Sequence, residues 1–521
     1  MRKMLLTTLS LLAACCGAAA QGTLPFPSVR TLLNAADELV VSGDFSIEGI
    51  VLADAKDPNL SLTTQAHFSY VQDHTGRENY LSSPDGRYGF RLVFNHTADA
   101  ASLHRGDRLR INLGGTTLVR DEAGACSITG LSASHIEAVH PGSAADVPVK
   151  VKAVGALTPD DYNTWVTLPD CELVFKDGAL SNVYETYAMP TSLNKAASPN
   201  GFMDPWASLL CDRAGGLVYM VINTKCRWRR DGRTAPQGSG AVSGVLVHQP
   251  LTRYDVGPWQ LRPLCREDIA IAPSPAPGGW QTAALWTWSD NAAEFTTDRG
   301  RRKSLGNEAV LADEGQGSLR VETRGTIYRG LDMNNPRIEK APARYGVRGK
   351  MDRGALSVDA EASAWWNWEE DRGNGVVLHT SLENATGDRL LFAVAFAAGK
   401  IHVSSSYAYP SWWGVEYSTD GRSWTRVPDA AFRLRSYPWW YDNEVDGSRY
   451  ITSYEAGLGA TEHAVLLPSE LLGQKDVWIR FAPAGRIVSS LAASGQDQIL
   501  LQRNMREKPT VNFCSFAIRY R

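Results

Sequence analysis

The sequence predicts an all-β protein: two OB-like small barrels followed by a jelly-roll-type β-sandwich. Three observations predict it. Apolar and polar residues alternate over short runs, the period of a half-buried strand, and clusters of Gly, Asp, Asn and Pro separate those runs. A helical apolar period is nearly absent; VRTLLNAAD, from Val29 to Asp37, is its best stretch. The tryptophans are unevenly spread, with twelve of the sixteen beyond residue 279.

Residues 1–20 read as a signal or lipoprotein leader. Arg2 and Lys3 precede the apolar run MLLTTLSLLAA, which is too short to span a bilayer and suits an export signal. Two exits follow. Leu12-Ala13-Ala14-Cys15 resembles a lipobox, with Cys15 lipidated as the mature N-terminus. Ala18-Ala19-Ala20 resembles an ordinary cleavage site. Either predicts export: an outer-membrane lipoprotein held by lipid at Cys15 alone, or a periplasmic, surface or secreted protein.

The first module runs over 25–145. FSIEGIVLA puts Phe45, Ile47, Gly49, Val51 and Ala53 on one face, with a mid-strand glycine that suggests a bulge or sharp coil. FSYVQD, YGFRLVF and DRLRINLGG supply further strands, and such a set suggests an OB-type barrel. The second module runs over 148–270, with WVTLPDCELVF, WASLLCD, GLVYMVINTKC and GAVSGVLVHQP as strands. Val242–Val247 echoes Ile47–Leu52, glycine included, which suggests related barrels. Prolines at alternate positions make 271–279, IAPSPAPGG, a linker. The third module, 280–521, holds LLFAVAFAAGKIHVS, apolar on both parities and so a strand buried on both sides. With GVEYSTDGRSWTRV and DVWIRFAP it suggests two packed sheets.

Formal net charge is −3, so a polyanion site would have to be a local patch. The six cysteines after the leader, Cys126, Cys171, Cys211, Cys226, Cys265 and Cys514, show no zinc spacing and read as buried thiols. Cys211 and Cys226 flank a hairpin whose register places Cys211 opposite about residue 218, against a disulfide between them.

WASLLCDRAGGLVYMVINTKCRWRR, GSGAVSGVLVHQPLTRYD and WQLRPLCREDI, with FSIEGIVLAD and RGDRLRINLGG, resemble a domain of unknown function in exported proteins of Gram-negative bacteria. The resemblance covers about 30–270. It implies OB-like barrels behind a lipoprotein signal and no established activity. The 280–521 module is similar to jelly-roll and galactose-binding-like sandwiches, an architectural likeness.

Candidate chemistry centres on SWWGVEYSTDGRSW. Successive strand side chains face opposite ways. Trp413, Val415 and Tyr417 therefore share a core face, Trp412 and Glu416 share the other, Asp420-Gly421 turns the chain, and Trp424 caps the core beside the turn. The same parity applied to Trp365-Trp366 and Trp439-Trp440-Tyr441 sends one ring of each pair outward. An exposed indole forgoes roughly 4–6 kcal/mol of burial unless something covers it. Sugar rings stack on such faces, and carboxylates nearby take their hydroxyls. The candidate glycan residues are Trp366, Trp412, Trp440, Tyr441, Glu370 and Asp442. The competing reading buries the rings under loops or between modules.

Arg227, Trp228, Arg229 and Arg230 form an alternative nucleic-acid patch. Asp313 and Glu314 are weak candidates for a structural calcium. No catalytic motif is found, so the chain reads as a non-enzyme without cofactor. The leading expectation is an envelope protein binding a polysaccharide or glycan. Nucleic-acid binding through the barrels, or a structural role in contact with other proteins, are the alternatives.

Overall fold

The computed structural model of the 521-residue chain describes residues 22–33, 36–57, 59–60, 77–176, 180, 206–222, 226, 228, 233–248, 259–275, 277–288, 303–304, 309–330, 355–398, 408–434, 439–442, 449–452, 461–490 and 499–521. They form an all-β architecture of several sheets. The leader, Cys15 included, and FSYVQD lie outside the described residues. No helix among the described residues is long and apolar enough to cross a membrane.

In the first sheet Ser46–Val51 pairs antiparallel with Glu78–Ser82 and Arg108–Asn112, Glu78–Ser82 pairs with Gly89–Phe94, and Gly89–Phe94 runs parallel to Cys126–Leu131. Ile47, Val51, Phe90, Leu92, Leu109 and Ile111 fill its core, closed by Phe26 and Val29 of the helix Phe26–Leu32. Gly49 marks no bulge: its register with Leu109 is unbroken. A Cβ there would lie 2.5 Å from the Ser82 carbonyl and 2.9 Å from Phe26 Cζ, so glycine is needed for close approach.

The second sheet repeats this pairing. Trp165–Leu173 pairs with Trp206–Cys211 and Gly240–Val247, Trp206–Cys211 with Leu217–Ile222, and Leu217–Ile222 runs parallel to Gln260–Arg262. Gln260–Arg262 returns to Gly240–Val247, which closes a five-stranded barrel. By this scheme Ser46–Val51 corresponds to Trp165–Leu173. The six-residue echo at Val242–Val247 therefore joins non-equivalent strands and carries no homology. Cys211 pairs with Leu217 across the hairpin, and none of the six cysteines is in a disulfide. Burial raises the thiol pKa of Cys171 and Cys211, and of Cys265 to about 11, which disfavours the reactive thiolate.

Most of the remaining described strands form two facing sheets, with three small sheets of two or three strands beside them. One is built on the long strand Thr510–Tyr520, flanked by Gln281–Trp286, Ala355–Ala360 and Leu390–Ala398. The other runs Val310–Leu311, Gly317–Val321, Val376–Thr380, Val477–Pro483, Trp412–Ser418, Thr425–Arg433. Between them lies the largest apolar cluster, including Trp286, Trp365, Trp413, Phe481 and Phe513. Within Leu390–Ala398, the residues from Leu390 to Phe396 are buried on both faces. Leu390, Phe392, Val394 and Phe396 enter this core, whereas Leu391, Ala393 and Ala395 pack against Val174, Leu209, Tyr219 and Val221 of the second barrel. Arg519 reinforces that junction by donating to the Leu173 and Trp280 carbonyls and to Glu172 Oε2.

Candidate functional site

The sheet that contains Trp412–Ser418 has one face in the core and one facing out. Along Val477–Pro483 the inward set is Val477, Ile479 and Phe481, so Trp478 and Arg480 face outward. Along Trp412–Ser418, Trp413 and Val415 are fully buried while Trp412 and Glu416 are half-buried on the outer side. Register places Glu416 opposite both Arg480 and Arg426, and Trp412 opposite Arg433.

These residues form a ladder of rings and charges. The Arg480 guanidinium lies 4.2 Å from the Trp424 ring centroid, and its Nε donates to Glu416 Oε2 at 2.6 Å. Trp424 therefore sits on the outer face, not as a cap on the core. Its strand begins after the turn at Gly421, so the hairpin folds the indole over Arg480. Arg433 lies 5.9 Å from the Trp412 ring. His379 stacks on Trp478 with centroids 4.5 Å apart at 11°, and its Nε2 is 2.9 Å from Asp476. Glu322 and Glu370 both take Arg372, at 3.2 and 2.5 Å. Hydrogen bonding and attraction from Arg372 hold the Glu370 carboxyl below its usual range. The strip thus carries flat rings beside fixed donors and acceptors of both signs. Trp412 and Glu416, which sits across from Trp424's arginine, are four residues apart, or about 13 Å along a strand.

Of the sequence-derived candidates, Trp412 lies on this strip and the exposed Glu370 reaches it through Arg372. Trp366 does not. It is 7% exposed, covered by Ala408, Val488 and Leu501, and its Nε1 donates to Asp371. The outward orientation expected for it is corrected: a second layer of short strands lies over it. Trp440, Tyr441 and Asp442 sit on the strand Trp439–Asp442, paired with Arg449–Thr452, and their side chains lie outside the described residues. Arg227, Arg229 and Arg230 also lie outside them, and Trp228 packs against the second barrel's core. Asp313 Oδ2 accepts the amides of Thr287 and Trp288, at 2.6 and 2.9 Å, which gives this carboxylate a backbone-capping role. Glu314 is exposed on a short edge strand. Among the described residues no three His, Cys, Asp or Glu side chains converge on a metal site.

Trp424, Trp478, His379, Arg433 and Arg480 escaped selection from the sequence. Alternation in VWIRF does mark Trp478 and Arg480 as outward. The pairing of Arg480 with Trp424, fifty-six positions apart by number, needs the sheet order.

No family model matches this chain, and no curated protein matches it. Among solved structures, the K1 cleaved adhesin domain of Lys-gingipain from Porphyromonas gingivalis W83 is similar at 14% identity, covering 40% of this chain and 99% of that one, with a TM-score of 0.18. SGBP-B from a complex xyloglucan utilization locus in Bacteroides uniformis is similar at 9% identity, covering 80% and 83%, with a TM-score of 0.19. At such scores neither likeness carries an argument about function.

Proposed function

We propose that this chain is an exported, non-catalytic binding protein of the cell envelope, and that the outer face of its sandwich sheet takes a glycan. The observation that supports this reading is the placement of Trp412 and Trp424 on one outward face, beside the fixed pairs Glu416–Arg480 and Glu370–Arg372. Indoles offer apolar faces to the C–H side of a sugar ring, and the accessible carboxylates of Glu416 and Glu370 accept hydrogen bonds from its hydroxyls, while the buried Arg480 holds Glu416 in place. Such a surface suits an extended chain rather than a small molecule, because the rings are spread over the outer face of a sheet and not around a cavity. The residues perform no chemistry in this role.

The test is affinity electrophoresis of the whole chain in gels holding soluble polysaccharides, with tryptophan fluorescence read in parallel. At least one polysaccharide retards the protein and shifts its fluorescence. Trp412→Ala and Trp424→Ala abolish both effects while the fold survives. A broad panel of neutral and acidic polysaccharides without any retardation removes the reading.

A further inference from the structure

We propose that the cleft between the first sheet and the turn leading into the second barrel, lined by Arg30, Tyr88 and Arg120, binds a small polar molecule through an acidic group, carboxylate or phosphate. This site is far from the tryptophan strip in composition and rests on separate residues.

The cavity measures about 390 Å³, within the range of small-molecule sites, roughly 300–1,000 Å³. Its walls come from the first module and from the turn that leads into the second barrel. Pro27, Arg30 and Thr31 lie on the helix Phe26–Leu32, Tyr88 precedes Gly89–Phe94, Arg120 ends Thr117–Arg120, and Pro159 and Asp160 come from the turn Pro159–Asp161 ahead of the second barrel. Two cations and one anion line it. That is a local positive excess in a chain of net charge −3.

The cationic wall is held in place. Arg120 Nη2 donates to the Arg30 carbonyl at 3.0 Å, which ties the two arginines together. The Arg30 guanidinium lies 4.9 Å from the Tyr88 ring, and Arg87 adds a third guanidinium 5.4 Å from the same ring. Lys150 Nζ bonds the carbonyls of Arg87 and Asp160, at 2.7 and 3.2 Å, which fixes the rim. Lys150 and Lys152 also neutralise Asp161, so that carboxylate adds little negative field.

Asp160 shows how an acid would sit. Its Oδ1 takes Arg30 Nη2 at 2.7 Å, yet its side chain is 54% exposed while that of Arg30 is 15% exposed. A guanidinium has five donors in a planar fork suited to carboxylate or phosphate. Asp160 is the exposed partner, so an incoming acid can share the guanidinium or take its place and leave Arg30 still paired. Pro27, Pro159 and the Tyr88 ring then face the apolar side of the same molecule.

Isothermal titration of the full chain tests this, with galacturonate, glucose 6-phosphate, inorganic phosphate and neutral glucose as probes. At least one acidic probe binds, neutral glucose does not, and added salt weakens binding. Tighter galacturonate assigns the site to carboxylates; tighter phosphate probes assign it to phosphates. Arg120→Gln weakens binding by about tenfold or more, as loss of a charged hydrogen bond requires. Asp160→Asn, an exposed substitution that the fold tolerates, tightens it by about threefold by removing the internal competitor. The proposal is overturned by no binding of any acidic probe, by equal binding of glucose, or by unchanged affinity in Asp160→Asn.

Discussion

Trp412-Trp413 and Trp365-Trp366 are the same dipeptide in the same sandwich, yet only the first sends an indole outward. Trp412-Trp413 lies within one regular strand, so its rings diverge, with Trp413 in the core and Trp412 at the surface. Trp365-Trp366 straddles the end of the 3-10 turn Ala362–Trp365 and the start of the strand Trp366–Asn367. Its rings also part company, into different apolar clusters, but both are buried. Trp366 is covered because Ala408–Pro410, Ile487–Ser490 and Ile499–Leu500 form a small sheet beside it. Alternation settles which way a ring points. Whether water meets it there depends on what else the chain places outside.

The largest effect expected is on the inward rings. Trp413 is packed by Trp365, Phe396, Phe481 and Phe513 at centroid distances of 5.0–5.7 Å. Trp413→Ala should cost about 3–5 kcal/mol in guanidinium unfolding, and Trp365→Ala a similar amount. Because the two rings touch, the double variant should fall short of the sum by about 0.5–3 kcal/mol. Additive losses would mean that the two doublets do not share a core.

Trp366→Phe comes next. It keeps most of the burial but loses the bond from Nε1 to Asp371, 3.1 Å in length, at a cost of about 1 kcal/mol. A neutral result would show that the covering layer holds Trp366 only loosely, and the contrast with Trp412 would narrow. Trp412→Ala should cost less still, about 0.5 kcal/mol, the ordinary range for surface changes. Its consequence should instead be the loss of the polysaccharide-dependent fluorescence change. A loss of several kcal/mol would class Trp412 with Trp413 as packing and sink its role as a platform.

Much of this contrast is legible in the sequence and part is not. The alternation of Val477, Ile479 and Phe481 marks the inner face without coordinates, and the two-sided apolar run from Leu390 marks a strand covered on both sides. Trp366 defeats the same logic because a turn precedes it and its cover comes from residues more than forty positions away. Trp424 defeats it too: Tyr417 pairs with Thr425, one residue later than a two-residue turn at Asp420-Gly421 would place its partner, so counting from the turn puts the ring on the wrong face. The arginine cleft is invisible for a different reason. Arg30 and Asp160 meet across 130 positions, and nothing local to either advertises the other.

The smallest expected effect concerns the turn that aims Trp424. Asp420 accepts the Ser423 and Arg422 amides, each at 2.7 Å, and the hydroxyls of Ser418 and Ser423 at 2.9 Å. These bonds, the backbone ones foremost, hold its carboxyl well below the usual aspartate range. A depressed folded pKa means that the stabilisation is present above the unfolded value of 3.8 and is lost as the pH falls below it. The turn should therefore be unaffected from neutral pH down to about 4 and loosen only in stronger acid. Carbon-detected NMR titration of the carboxyl checks this, and Ser423→Ala should raise its pKa by removing one donor. Trp366 also opens a hairpin, Trp366–Asn367 paired with Arg372–Gly373, and there Asp371 accepts the indole itself. An Asp420 carboxyl that titrates at the ordinary value would show that the turn is not locked by these bonds, and that the outward rings are aimed by the sheet alone.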